Sequence, residues 1–84
     1  MKSETFYMLE VPEPKPASTA FADKVLASKE QQRRKEAVMA FLKASGHRYN
    51  RRANMFATRE DAEQMILRMG FPYPINICEA SWAF

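Results

Sequence analysis

The chain has 84 residues, of which 46% are hydrophobic and 27% charged, so it has room for one folded domain and is not disordered along its length. Its single cysteine, Cys78, excludes an internal disulfide and, with six methionines, indicates a reducing, cytoplasmic compartment. No apolar run approaches membrane-spanning length, and Glu4, Glu10 and Pro12 would interrupt the apolar core of a signal peptide, so we expect neither a secretory leader nor a membrane partner.

The net charge of +3 hides a separation of charge along the chain. Residues 29–59 carry nine basic and two acidic side chains, a net of +7. The segments before and after this block sum to −1 and −3. A basic block of this kind is typical of a surface that binds a polyanion or an acidic protein, or of a solvated face.

The first predicted element is a strand over residues 5–11, where β-forming side chains alternate between two faces. One face carries Tyr7, Leu9 and Val11. Three prolines then alternate with charged residues and predict an extended connector over residues 12–17.

Residues 18–45 predict either one kinked helix or two helices, and the pattern leaves both open. In the two-helix interpretation, Ser18 or Thr19 caps a short helix that ends at Ala27, and Ser28 begins a second helix with Gln31 in a capping box. The first stretch is expected to bury Phe21, Val25 and Leu26.

The second stretch has an inward stripe and a clear end. Gly46 is a natural stop for the helix because glycine accepts the left-handed conformation that ends many helices. The stripe consists of Val38, Phe41, Leu42 and Ser45. Residues 29–36 contain no strongly apolar side chain, so this turn either projects past the core or lies exposed on its surface.

The second half of the chain predicts a strand, a helix and a strand. The second strand is expected over residues 47–57. Thr58 then caps a helix that ends at Gly70, with apolar residues at the spacing i, i+3, i+4, i+7. Those residues are Ala62, Met65, Ile66 and Met69. A stiff turn over residues 71–74 precedes a last strand over residues 75–82.

These elements predict an α+β fold in one domain spanning residues 1–84: a three-stranded sheet with two or three helices in the order β-α(α)-β-α-β. Alternation of strands and helices favours crossover connections, with the helices on one face of the sheet. The open face would carry Trp82 and the basic segment that contains Arg48 and Tyr49. Trp82 and Phe84, at the end of the chain, are expected to dock on this domain's core or on another chain.

The leading functional hypothesis is a non-enzymatic protein that binds nucleic acid or a nucleoprotein complex. Residues 46–54 interleave guanidinium groups with an aromatic ring and two amides, the side chains that hold phosphates, stack on bases and read base edges. The expected central contacts are Arg48, Tyr49, Arg51 and Arg52, with electrostatic support from Lys29, Arg33, Arg34 and Lys35.

A protein partner is the alternative. Small domains without a catalytic constellation, such as those encoded by phages and mobile elements, often act as inhibitors or adaptors. Arginine and tyrosine are common anchors of protein interfaces, so the same basic and aromatic face would serve this function. Phosphate contacts predict a steep dependence of binding on salt, and an apolar interface predicts a shallow one.

An enzyme is the weakest hypothesis. His47 and Cys78 form a nucleophile pair only if their strands are neighbours, and each has a simpler structural interpretation. One histidine and one cysteine match no zinc spacing, and the two glycines form no phosphate-binding loop. We therefore expect no metal, no cofactor and no small-molecule substrate, and the oligomeric state stays open.

Overall fold

The computed structural model describes residues 3–83 and contains five elements in the order strand, helix, strand, helix, strand. These are β1 (Ser3–Glu10), α1 (Phe21–Ser45), β2 (Met55–Phe56), α2 (Arg59–Met69) and β3 (Asn76–Ala83). The predicted α+β class and element order are confirmed, with two helices. Phe84, for which we expected docking on the core or on another chain, lies outside the described residues.

β1 is the central strand of a sheet ordered β2-β1-β3. It pairs with β3 along its whole length, from Ser3 opposite Ala83 to Glu10 opposite Asn76. Its pairing with β2 covers only Tyr7 and Met8. The expected crossover connections hold for one of the two links. β1 and β2, joined through α1, are antiparallel neighbours, so this link is not a crossover. β2 and β3 are both antiparallel to β1, so they run parallel to each other, and α2 joins them across the central strand.

The core lies between the helices and one face of the sheet, as predicted. Its buried residues are Val11, Val38, Leu42, Phe56, Ala62, Met65 and Met69. Tyr7, Leu9 and Ile77 project from the same face of the sheet and pack against this cluster. On the opposite face, the ring of Phe6 packs against that of Trp82 with centroids 4.6 Å apart.

Residues 21–45 form one continuous helix and not two. Its N-cap is Ala20, and Ser28 lies inside the helix, so both predicted caps were wrong. Ser18 instead accepts from the Ala20 amide at 3.1 Å and donates to the Asp23 carboxylate. Of the predicted inward stripe, Val38 and Leu42 are buried and Phe41 and Ser45 are half-buried. Gly46 ends the helix in the left-handed conformation, as predicted.

The first half of α1 contacts Val11 and the proline connector that follows it. The Gln31 side-chain amide donates to the Val11 carbonyl at 3.0 Å, and Ala27 is buried beside the connector. The predicted burial of Phe21 and Leu26 was wrong: they are 81% and 62% exposed, because the helix is about 37 Å long and its first turns lie beyond the sheet. Val25 is half-buried.

The second predicted strand was wrong over most of its length, because residues 49–52 form a tight turn and only Met55 and Phe56 join the sheet.

The second helix is confirmed in detail. Its N-cap Thr58 accepts from the Asp61 amide at 3.1 Å, and Gly70 ends it in the left-handed conformation. Neither helix among residues 3–83 is long and apolar enough to span a bilayer.

Candidate functional site

The tip of the basic segment is a two-residue turn. Tyr49 and Arg52 exchange backbone hydrogen bonds of 3.0 and 2.9 Å across it. Its central residues, Asn50 and Arg51, have φ angles of 51° and 66°. Positive φ at both central positions is the signature of a type I′ turn, which favours Asn at the first position and Gly at the second. Arg51 therefore occupies a position where its side chain costs conformational energy.

The start of this segment is attached to the end of α1 and to β2. Ser45 donates to the Leu42 carbonyl at 2.7 Å and accepts from the His47 amide at 3.3 Å. The His47 ring stacks on Phe56 at 4.2 Å, and its Nε2 lies 2.6 Å from the Met55 carbonyl oxygen. A ring nitrogen facing a carbonyl carries the proton, so His47 donates here. These contacts fix residues 46–55 as a defined loop.

A carboxylate on β1 fixes the loop to the sheet. The Tyr49 hydroxyl donates to Glu4, whose second oxygen accepts from the Trp82 indole nitrogen at 3.2 Å. The hydrogen bond from Tyr49, followed by that from Trp82, lowers the pKa of Glu4. The same bond to Glu4 raises the pKa of Tyr49. Tyr49 thus holds the loop against β1 through its bond to Glu4.

The loop and the last turns of α1 enclose a groove of about 470 Å³, which we call the basic groove. Its lining residues are Met39, Lys43, Gly46, His47, Arg48, Arg51, Arg52, Ala53 and Asn54. Four of them are cationic, and none of the described residues that line it is acidic. All four cations are exposed and make no ion pair with any residue between 3 and 83.

The predicted cations on α1 lie outside the basic groove. Arg33 and Arg34 bond to the same Glu30 carboxylate at 2.5 and 3.2 Å. The Arg34 guanidinium also lies over the Tyr73 ring at 4.7 Å, so this side chain contributes to packing. Lys29 is exposed on the same helix, and Lys35 lines a second groove that adjoins the first.

The structure thus brings three of the eight predicted site residues into one groove: Arg48, Arg51 and Arg52. It adds Lys43, Met39 and Asn54, which sequence reasoning did not select. Lys43 had a usable signal, because it lies three residues before the predicted helix end at Gly46 and so shares an end of α1 with the loop. Met39 carried no such signal, whereas Asn54 is one of the two amides in residues 46–54 but was not among the expected contacts.

The possible nucleophile pair is not assembled. Cys78 donates to the Glu10 carboxylate at 2.7 Å, and His47 is engaged with the Met55 carbonyl. The bond to Glu10, more than burial, raises the pKa of Cys78, which keeps the thiol protonated at neutral pH. Within residues 3–83, no three His, Cys, Asp or Glu side chains converge as metal ligands would.

Comparison of the chain with protein-family models, with curated proteins and with solved structures finds no match. The site is therefore interpreted from its own geometry and charge.

Proposed function

We propose that this chain is a non-enzymatic nucleic-acid-binding protein and that the basic groove holds the phosphate backbone. One observation carries the proposal: Lys43, Arg48, Arg51 and Arg52 line a single groove without a neighbouring carboxylate. Cations that stabilise a fold are usually paired, as Arg33 and Arg34 are with Glu30. Guanidinium groups bind phosphate through two hydrogen bonds, so this set suits a phosphodiester backbone.

The position of Arg51 supports the same proposal. A non-glycine residue in the left-handed region costs about 1–2 kcal/mol, and such strain is concentrated at functional sites. Arg51 is exposed and makes no ion pair among residues 3–83, so its charged side chain does not stabilise the fold through such contacts. This favours a role for the side chain in binding. The single cysteine fits a reducing compartment, so we propose that the protein acts in the cytoplasm.

The test compares two double variants of equal charge. Arg51→Gln with Arg52→Gln removes two cations from the basic groove, and Lys29→Gln with Arg33→Gln removes two from α1. Fluorescence anisotropy with labelled single-stranded DNA, duplex DNA and RNA measures each dissociation constant. We expect the groove variant to bind roughly 10- to 100-fold more weakly than the unmodified chain, because charged hydrogen bonds to phosphate are lost.

The α1 variant is expected to lose no more than about threefold. Lys29 lies about 21 Å from Lys43 along the helix axis, beyond the screening length at physiological salt. Equal losses in the two variants would contradict the assignment of the groove and would restore α1 as a contact surface. Absence of binding to all three nucleic acids at low salt would overturn the proposed function.

A protein partner is the second candidate, because no Phe, Tyr or Trp side chain among residues 3–83 lines the basic groove. A groove whose described lining has four cations and His47 as its single aromatic ring also fits an acidic protein surface. In that case the chain would be an inhibitor or adaptor, nucleic acids would bind weakly, and salt would affect binding to the protein less steeply.

A further inference from the structure

A second groove opens beside the basic groove, with a volume of about 430 Å³. We call it the apolar groove. Its lining residues are Met8, Leu9, Glu10, Val11, Lys35, Val38, Met39, Asn54 and Cys78. Two of these residues, Met39 and Asn54, also line the basic groove, so the two grooves are neighbours with a common wall.

The apolar groove exists because β2 is short. The pairing of β1 with β2 stops at Met8, whereas its pairing with β3 continues to Glu10. Asn54, which precedes β2, does not continue the pairing beside Leu9. An opening therefore separates the unpaired edge of β1 from α1, where Met39 lies.

We propose that the apolar groove receives an unstacked base of a single-stranded nucleic acid whose phosphates lie in the basic groove. This inference rests on the proposed function and names its substrate class. A phosphate backbone bound by Arg51 and Arg52 passes beside Met39, where a base turned toward the protein enters the apolar groove.

The chemistry of the apolar groove suits a base. Methionine side chains are flexible and polarizable, and their sulfur makes favourable contacts with aromatic rings, so Met8 and Met39 provide surfaces for a ring. The Asn54 amide offers a donor and an acceptor to a base edge. Lys35 at the side of the groove provides a cation for an adjoining phosphate, and it partly offsets the charge of Glu10.

The groove also fits the size of known ligand sites, which begin at about 300 Å³. A duplex cannot use it, because its bases are stacked and paired. We therefore expect this chain to bind a single strand about tenfold more tightly than a duplex of the same sequence, as expected when one base gains a protein contact.

Cys78 reports directly on occupancy, because it is the only cysteine and it lines the apolar groove. The unmodified chain is alkylated with iodoacetamide at mildly alkaline pH, alone or with saturating single-stranded or duplex DNA. We expect the single strand to slow alkylation about fivefold or more, as the occupied groove excludes the reagent, and the duplex to leave the rate unchanged.

A variant that fills the groove gives the second test. Met8→Trp places a large ring there, and Met8→Leu is the matched control that keeps its volume. Met8→Trp is expected to remove the preference for a single strand and to leave duplex binding unchanged, which also shows that the variant folds. Met8→Leu keeps the preference within about twofold.

The outcomes separate the two proposals. If nucleic acid binds and Arg51→Gln with Arg52→Gln weakens it, but Cys78 is unprotected or duplex is preferred, the base-binding inference is wrong and the proposed function stands. If an extended acidic peptide protects Cys78 and single strands do not, the groove binds a peptide and the inference is overturned. Failure to bind any nucleic acid overturns both.

Discussion

At the scale of single residues, Arg51 costs stability through its backbone conformation and contributes a cation to the basic groove. Its φ of 66° lies in the region that glycine accepts without steric cost, whereas its guanidinium lines the basic groove. Sequence reasoning selected the residue from its charge but not its backbone conformation. That conformation depends on the paired backbone bonds of Tyr49 and Arg52, which a one-dimensional pattern does not contain.

Replacing Arg51 by glycine is expected to stabilise the fold and weaken binding together. Relief of the left-handed strain exceeds the added entropy of the unfolded glycine, so the free energy of unfolding rises by about 0.5–1 kcal/mol. Arg52→Gly is the control, since Arg52 lacks a positive φ, and it is expected to destabilise by a similar amount. Urea denaturation measures the free energy of unfolding of both variants. A lower value for Arg51→Gly than for the unmodified chain would show that Arg51 is not strained.

The hydrogen bonds to Glu4 predict a pH dependence. Because the folded-state pKa of Glu4 is lowered, its contribution to stability is present above the usual glutamate pKa and is lost as pH falls through the folded value. Tyr49→Phe removes the largest cause, so the pKa of Glu4 is expected to move back toward its usual range.

NMR titration of the Glu4 carboxyl measures this shift. Tyr7→Phe is the matched control, because the Tyr7 hydroxyl makes no hydrogen bond within residues 3–83 and packs on the other face of the sheet. An unchanged Glu4 pKa in Tyr49→Phe would show that the loop is not fixed in the way described.

At the scale of elements, local signals predicted α2 and failed for the first turns of α1. The cap, the apolar spacing and the terminal glycine of α2 agree with one another, and each acts within a few residues. In α1, the first turns lie beyond the sheet, so Phe21 and Leu26 stay exposed despite their hydrophobicity. The short β2 and the antiparallel pairing depend on distant residues, which the local pattern does not reveal.

Two alanine substitutions test the continuity of α1. Ser28→Ala is expected to be neutral or stabilising by a few tenths of a kcal/mol, because Ser28 lies inside a helix where alanine is preferred. Thr58→Ala removes a true cap and is expected to cost about 1 kcal/mol. Urea denaturation compares them, and a similar cost for Ser28→Ala would indicate a helix boundary at that position.

At the scale of the whole molecule, the cations of the basic block differ in their surroundings. Arg33 and Arg34 pair with Glu30 on α1, whereas the four cations that line the basic groove make no ion pair among the described residues. The sequence predicted the basic block but not which of its cations form ion pairs, because that depends on which carboxylates lie nearby in the folded chain. Only Glu30 reaches a described cation within ion-pair distance.

The dependence of binding on salt shows whether the basic groove holds phosphates. Anisotropy with one single-stranded oligonucleotide over a series of salt concentrations gives the slope of log affinity against log salt. Four phosphate contacts predict a slope of roughly −3, and Arg51→Gln with Arg52→Gln is expected to reduce its magnitude by about half. A slope near zero, or the same slope in that variant, would contradict phosphate binding in the basic groove.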